Sequence, residues 1–199
     1  MSGASSLPRV AWAMQPLYVV AEVVIGATLG VSYSFRDDTI SALGTTCPPG
    51  GTGCADAGAV MNAVFVVFGA LQVLGAWPAL RSRGRRSDRV AGALWASAGA
   101  FSILVGLFPV DSRPLAHTLV ALPVFLCQPV ALLLQLRLRP ASAVRSIGMG
   151  LAALSVTGTL AFALLLGAPA GAGLAERAAL WPAKVWLALS LAGTSSWRR

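Results

Sequence analysis

The sequence predicts an all-α polytopic membrane protein, a bundle of six transmembrane helices forming one domain over residues 1–199. Three observations predict it. Hydrophobic side chains make up 56% of the chain and charged ones only 11%, against about 25% charged in a soluble domain. Windows close to the ~20 apolar residues needed to cross the hydrocarbon recur six times, at about 10–33, 58–80, 90–110, 115–136, 147–167 and 178–195. The arginines fall between these windows rather than on one helix face, so the net charge of +8 reads as topology and not as nucleic-acid binding.

Taken in order, the first window has no lysine-rich lead and no small-residue cleavage site, so it reads as a retained helix and not a signal peptide. Gly26 and Gly30 form a small-xxx-small pair suited to close helix approach. Glu22 sits near mid-window, where a carboxylate must be protonated, paired or turned to an internal cavity. Gln72, Asn62 and Lys184 are available as partners on other helices.

A polar stretch follows, from Ser34 to Gly44. It reads either as a solvated loop in which Asp38 or Thr39 caps a short helix, or as a re-entrant segment presenting a carboxylate to a cavity. Cys47 and Cys54 bracket a Pro- and Gly-rich hexapeptide and are expected to form a disulfide. Cys127 reads as a small core residue.

In the third window Gly92, Gly99 and Gly106 recur every seven residues and predict a tight helix contact. The hairpin beyond it holds Asp111 and the single histidine, His117; the two suit an orienting carboxylate–imidazole pair. The competing reading is a surface contact between Asp111 and Arg113. Pro123 and Pro129 predict a kink in the fourth helix. Gln15-Pro16 and Gln128-Pro129 do not mark an inverted repeat, because opposite orientations would put them at opposite depths and both lie in the inner half. The fifth window holds no ionisable group and reads as scaffold. Gly167 to Gly173 reads as a flexible outer loop leading into Glu176 and Arg177. Trp181 is placed as an interfacial anchor, and Lys184, the sole lysine, either snorkels outward or pairs with Glu22 or Asp38.

If the windows alternate direction, Arg9, the Arg81–Arg89 group, Arg137, Arg139, Arg145, Arg198 and Arg199 share one side. By the positive-inside rule that side is cytoplasmic, with both termini inside and a plasma-membrane location. Asp37, Asp38, Asp56, Asp111 and Glu176 then face outward, so the active face is expected outside.

Tyr33-Ser34, Asp38, Ile40-Ser41, Leu43-Gly44, Asn62, Phe65, Gly106, Phe108-Pro109, Asp111 and His117 together resemble the bacterial six-helix family known as domain of unknown function 998. The resemblance runs over nearly the whole chain. It implies a six-helix bundle with family positions at Asp38, Asn62, Asp111 and His117, and it implies no reaction. In size and habit the chain also resembles small membrane-bound terpene cyclases. The Ala-, Gly-, Arg- and Leu-rich composition is compatible with an actinobacterial source.

One histidine excludes bis-histidine haem and a three-histidine zinc site, and no phosphate loop, serine elbow or CxxC pair occurs. No cofactor is expected. The leading expectation is an intramembrane acid–base enzyme acting on an isoprenoid or lipid, most concretely a protonation-initiated terpene cyclase. A carboxylic acid in an apolar cavity stays protonated, and aromatic faces stabilise a carbocation. Glu22, Asp38, Asp111 and His117 are the expected catalytic groups, and Tyr33, Asn62, Trp95, Glu176, Arg177, Trp181 and Lys184 the expected substrate contacts. The partners are the bilayer and a hydrophobic small molecule. A non-enzymatic permease or accessory subunit is the alternative. A third possibility is a magnesium or manganese site from Asp37, Asp38, Asp111, His117 and Glu176.

Overall fold

A computed structural model of the chain describes residues 6–28, 33–45, 54–168 and 170–192. The described residues form helices α1 (Leu7–Ala13), α2 (Leu17–Thr28), α3 (Cys54–Leu80), α4 (Arg86–Leu107), α5 (Pro114–Arg137), α6 (Ala143–Leu165) and α7 (Ala172–Leu189), with a short 3₁₀ turn at Ser41–Gly44. Cys47 lies outside the described residues, as does the side chain of Cys54, and so does Gly30.

Helices α3 to α6 are each long and apolar enough to cross a membrane. The first predicted helix is instead two, α1 and α2, bent by 40° and together able to make a fifth span. The break falls at Pro16, which has no N–H to donate to the preceding turn. The fifth helix in the sequence reading is α6, while α5 runs as one helix through Pro123 and Pro129. The last helix differs most from expectation. It begins at Ala172 rather than near 178, so Glu176 and Arg177 leave the predicted loop and enter the helix. With Lys184 they give α7 three charged side chains, and it does not count among the spans by apolarity.

Around two buried hydrophobic clusters the bundle exposes aliphatic side chains and buries several polar ones. Leu164, Leu115, Leu119 and Leu160 are exposed, while Gln15, Glu22, Gln72, Gln128, Glu176, Arg177 and Lys184 are buried. A shell of aliphatic side chains costs nothing in lipid, whereas each polar group must find its partner inside. Helix α7 occupies the middle of this arrangement and packs mainly against α6, with α5, α1 and α2 touching it elsewhere.

Close helix approach rests on small residues. A Cβ added to Gly99 would lie 2.7 Å from the carbonyl oxygen of Gly69, and one added to Gly69 would lie 2.6 Å from that of Gly99. Gly92 and Gly106 meet α3 in the same way, so the predicted stripe is the seam between α3 and α4. Gly26 serves another purpose than the expected helix contact: the Phe35 ring, 2.6 Å from where its Cβ would be, lies against it.

The two ends of the bundle differ in charge. One end gathers the start of α1, the arginine-rich α3–α4 connection and the α5–α6 connection, where the Arg139 guanidinium donates to the carbonyls of Ser190 and Ala192 beyond α7. The other end gathers residues 33–45, the α4–α5 hairpin and the start of α7.

Candidate functional site

The segment 33–45 folds over the first turns of α7. The first N–H groups of a helix lack partners within it. Here Leu174 N donates to Arg36 O at 2.8 Å, Gly173 N to Asp37 O at 3.3 Å, and Gly171 N to the Asp37 carboxylate at 2.9 Å. Gly173 is required for this approach, because its Cβ would lie 2.2 Å from the Asp38 carbonyl oxygen. The Gly171 amide, with Ser34 and Arg36 adding to it, holds the Asp37 carboxyl below its usual range. Within the segment Thr39 Oγ1 accepts from Ala42 N at 3.1 Å and Asp38 Oδ2 accepts from Ser34 N at 2.7 Å, but the N-cap of the 3₁₀ turn is Ile40, which makes no side-chain cap bond, and Ile40 and Leu43 are buried rather than solvated.

Arg177 ties the segment to the bundle. Its Nη1 donates to the carbonyls of Phe35 at 2.7 Å and Asp38 at 2.9 Å, and its Nη2 donates to the Tyr33 hydroxyl and pairs with Glu22 Oε1 at 2.8 Å. The Tyr33 hydroxyl donates in turn to Thr39 O at 3.0 Å, and burial raises this phenol above its usual range despite the guanidinium beside it. The second Glu22 oxygen accepts from Trp181 Nε1 at 2.6 Å. Glu22 therefore has neither of the partners expected on α3 nor Lys184, because a neighbouring guanidinium and indole N–H on α7 reach it first.

Helix α7 presents two faces of different chemistry. On one, Glu176 Oε2 accepts from Ile40 N at 2.5 Å, while its Oε1 lies 3.5 Å from the Ser41 hydroxyl. Ser41 Oγ meets His117 Nε2 at 2.9 Å, and His117 Nδ1 meets the Phe108 carbonyl at 2.8 Å. A carbonyl only accepts, so Nδ1 carries a hydrogen and the neutral ring receives the Ser41 hydroxyl at Nε2. Two turns further along the same face, Lys184 Nζ donates to Gln72 Oε1 at 2.7 Å and Gln15 Oε1 at 3.1 Å. The other face bears Arg177, Trp181 and Val185 and floors an apolar groove of about 650 Å³, walled by Val23 of α2 and by Leu151 and Leu154 of α6.

The sequence-predicted site is thus partly gathered and partly dispersed. Glu22, Tyr33, Arg177 and Trp181 form one bonded cluster, while Glu176 and His117 form another through Ser41. The ring nitrogens of His117 are engaged by Phe108 O and Ser41 Oγ, and Asp111, exposed at the hairpin, accepts from Ser112 N at 2.9 Å. Lys184 is bonded to two glutamines rather than to Glu22 or Asp38. Asn62 donates to Gly44 O at 2.8 Å, and Trp95 packs edge-on against Trp12, fully buried and away from both faces. No three His, Cys, Asp or Glu side chains gather as a metal site among the described residues. Ser41, Gln128 and Gln15 are the site residues that sequence reasoning missed. Ser41 stands out in the sequence only within the Ile40-Ser41 pair of the family resemblance, and the two glutamines read only as members of a rejected repeat.

The family described as "Protein of unknown function (DUF998)" matches residues 13–193, from the end of α1 to just past α7. The chain belongs to the DUF998 family. No curated protein and no solved structure matches it. The matched stretch of this DUF998 protein contains both faces of α7 and the whole segment that folds over them.

Proposed function

We propose that this DUF998 protein is a membrane carrier that takes one isoprenoid or acyl chain from the bilayer into the groove between α2 and α6. The observation that carries the reading is the groove itself: about 650 Å³, within the roughly 300–1,000 Å³ of small-molecule sites, apolar on its walls, and lined among the described residues by Arg36 and Arg177 as its charged side chains. Among the described residues no carboxylate or imidazole lines it. That speaks against the cyclase form, which needs an acid with a proton to give at the substrate. One oxygen of Glu22 forms an ion pair with Arg177 and the other accepts from Trp181, which suits a paired carboxylate rather than a proton donor.

In this reading α7 is the sixth crossing, its charges satisfied inside the bundle. The arginine-rich end is cytoplasmic and the groove opens toward the outer half of the plasma membrane. A farnesyl probe bearing a diazirine, activated by light in proteoliposomes, tests it. Crosslinks should concentrate on Leu151, Leu154, Leu174 and Val185, and Ala178→Phe, which fills the groove, should remove most of them. Equal labelling of Val60, Val67 and Leu119, which are exposed elsewhere on the bundle, would reduce the groove to ordinary lipid contact.

The enzymatic reading retains one observation in its favour, the Ser41 hydroxyl between Glu176 and His117. It makes Glu176, rather than Glu22 or Asp38, the acid. Its test is conversion of an added prenyl alkene or epoxide, analysed by mass spectrometry, with product expected from the native chain and none from Glu176→Gln. No conversion by the native chain leaves the carrier.

A further inference from the structure

Gln128 is buried with neither its amide nitrogen nor its amide oxygen bonded. It borders an internal cavity of about 30 Å³ shared with Tyr18, Ser41, Ser102, Glu176 and Lys184. A water molecule needs about 10–15 Å³ by the same measure and two to four polar partners, so the space suits one or two. Lys184 Nζ uses two of its three hydrogens on Gln15 and Gln72, which leaves the third for the cavity it borders. Two turns back along α7, Glu176 borders the same cavity and faces Ser41, which is bonded to His117.

We propose that one or two bound waters join Gln128, Glu176 and Lys184. His117, Ser41, Glu176, these waters and Lys184 then form a proton path from the hairpin end of the bundle to its middle. With the Ser41 hydroxyl turned from His117 to Glu176 Oε1 and a proton on His117 Nε2, that proton passes to Ser41 Oγ as the serine's own proton moves to Glu176 Oε1. Ser41 ends as a hydroxyl again, and His117 returns to the neutral ring with Nδ1–H on the Phe108 carbonyl. Glu176 releases a proton to the water chain, which delivers one to Lys184 Nζ when that nitrogen is an amine. Each transfer moves one proton between named atoms and needs no other reactant. The charged and titratable groups around the path are Tyr18 and Glu22 from α2, His117 from α5, and Arg177 and Lys184 of α7 itself. The path lies on the opposite face of α7 from the groove and does not depend on what the groove binds.

Lys184 is the chain's only lysine, so the full-length protein in lipid nanodiscs, labelled with nitrogen-15 at lysine Nζ, gives one side-chain signal. Magnetisation transfer from water to that signal is expected in the native protein. Gln128→Leu and Ser41→Ala should each slow the exchange by about tenfold. Ser41→Cys serves as a second relay variant if Ser41→Ala fails to fold. A native Nζ shielded from water, or exchange equally fast in both variants, overturns the path.

Discussion

At the scale of single residues, the ion pair between Glu22 and Arg177 carries the largest stake. Both side chains are buried, with 0% and 3% exposure, and removing one partner strands the other charge. Arg177→Met is expected to destabilise the fold by about 3–5 kcal/mol, whereas Glu22→Gln combined with Arg177→Met should recover a good part of that loss. Unfolding in mixed micelles with rising denaturing detergent measures both. If the double variant is as unstable as the sum of the singles, the pair is not the cause.

Asp37 supplies a pH dependence of known sign. Its carboxyl is held below the ordinary range chiefly by the Gly171 amide. Its contribution is therefore present above the unfolded carboxylate pKa of about 3.9 and is lost as pH falls through the folded value. The melting difference between the native chain and Asp37→Asn should be full near about pH 6 and shrink toward about pH 3. A difference that is constant with pH would remove the cap from the account.

At the scale of elements, the glycine stripe of α4 was legible because a seven-residue repeat of residues lacking side chains has few uses other than a seam. Gly99→Val should push α4 from α3, where its Cβ would meet the Gly69 carbonyl at 2.7 Å, and cost about 1–3 kcal/mol or more. Gly150 has nothing within 4 Å of an added Cβ, so Gly150→Ala should be neutral or stabilising by up to about 1 kcal/mol. Thermal melts of the two variants, read against the native chain, check this pair of expectations.

Helix α7 was the element misread, and the reason is physical. Glu176 and Arg177 look like the end of a loop because charged residues at the edge of an apolar run usually face water. Here Phe35, Ile40 and Asp38 of a distant segment supply the backbone partners that let the helix start six residues earlier. The break at Pro16 was also missed. A proline near the start of an apolar run is compatible with one kinked helix or with two, and the packing of Trp12 across Gly75 of α3 sets α1 at its own angle.

At the scale of the whole molecule, the arginine-rich and acid-rich ends lie at opposite faces of one bundle. Single cysteines placed at Ser82 and Ser112, in a background with Cys47, Cys54 and Cys127 replaced, should react with an impermeant maleimide from opposite sides of the membrane. Ser112 is expected to be the one reached from outside intact cells. Labelling of both from one side would break the proposed alternation of crossings.

The sequence by itself determined that the chain is helical and membrane-embedded, that the glycine stripe of α4 makes a tight helix contact, and that Glu22, His117 and Lys184 need partners. These follow from composition, period and the cost of a bare charge in hydrocarbon, which are local properties. Only the tertiary structure decided which partners they take. That Arg177 rather than Lys184 meets Glu22, that Ser41 meets His117, and that α7 divides a polar interior from an apolar groove all depend on contacts between residues up to 169 positions apart. No periodicity along the chain encodes which of several equally hungry polar groups will be nearest once the helices have packed.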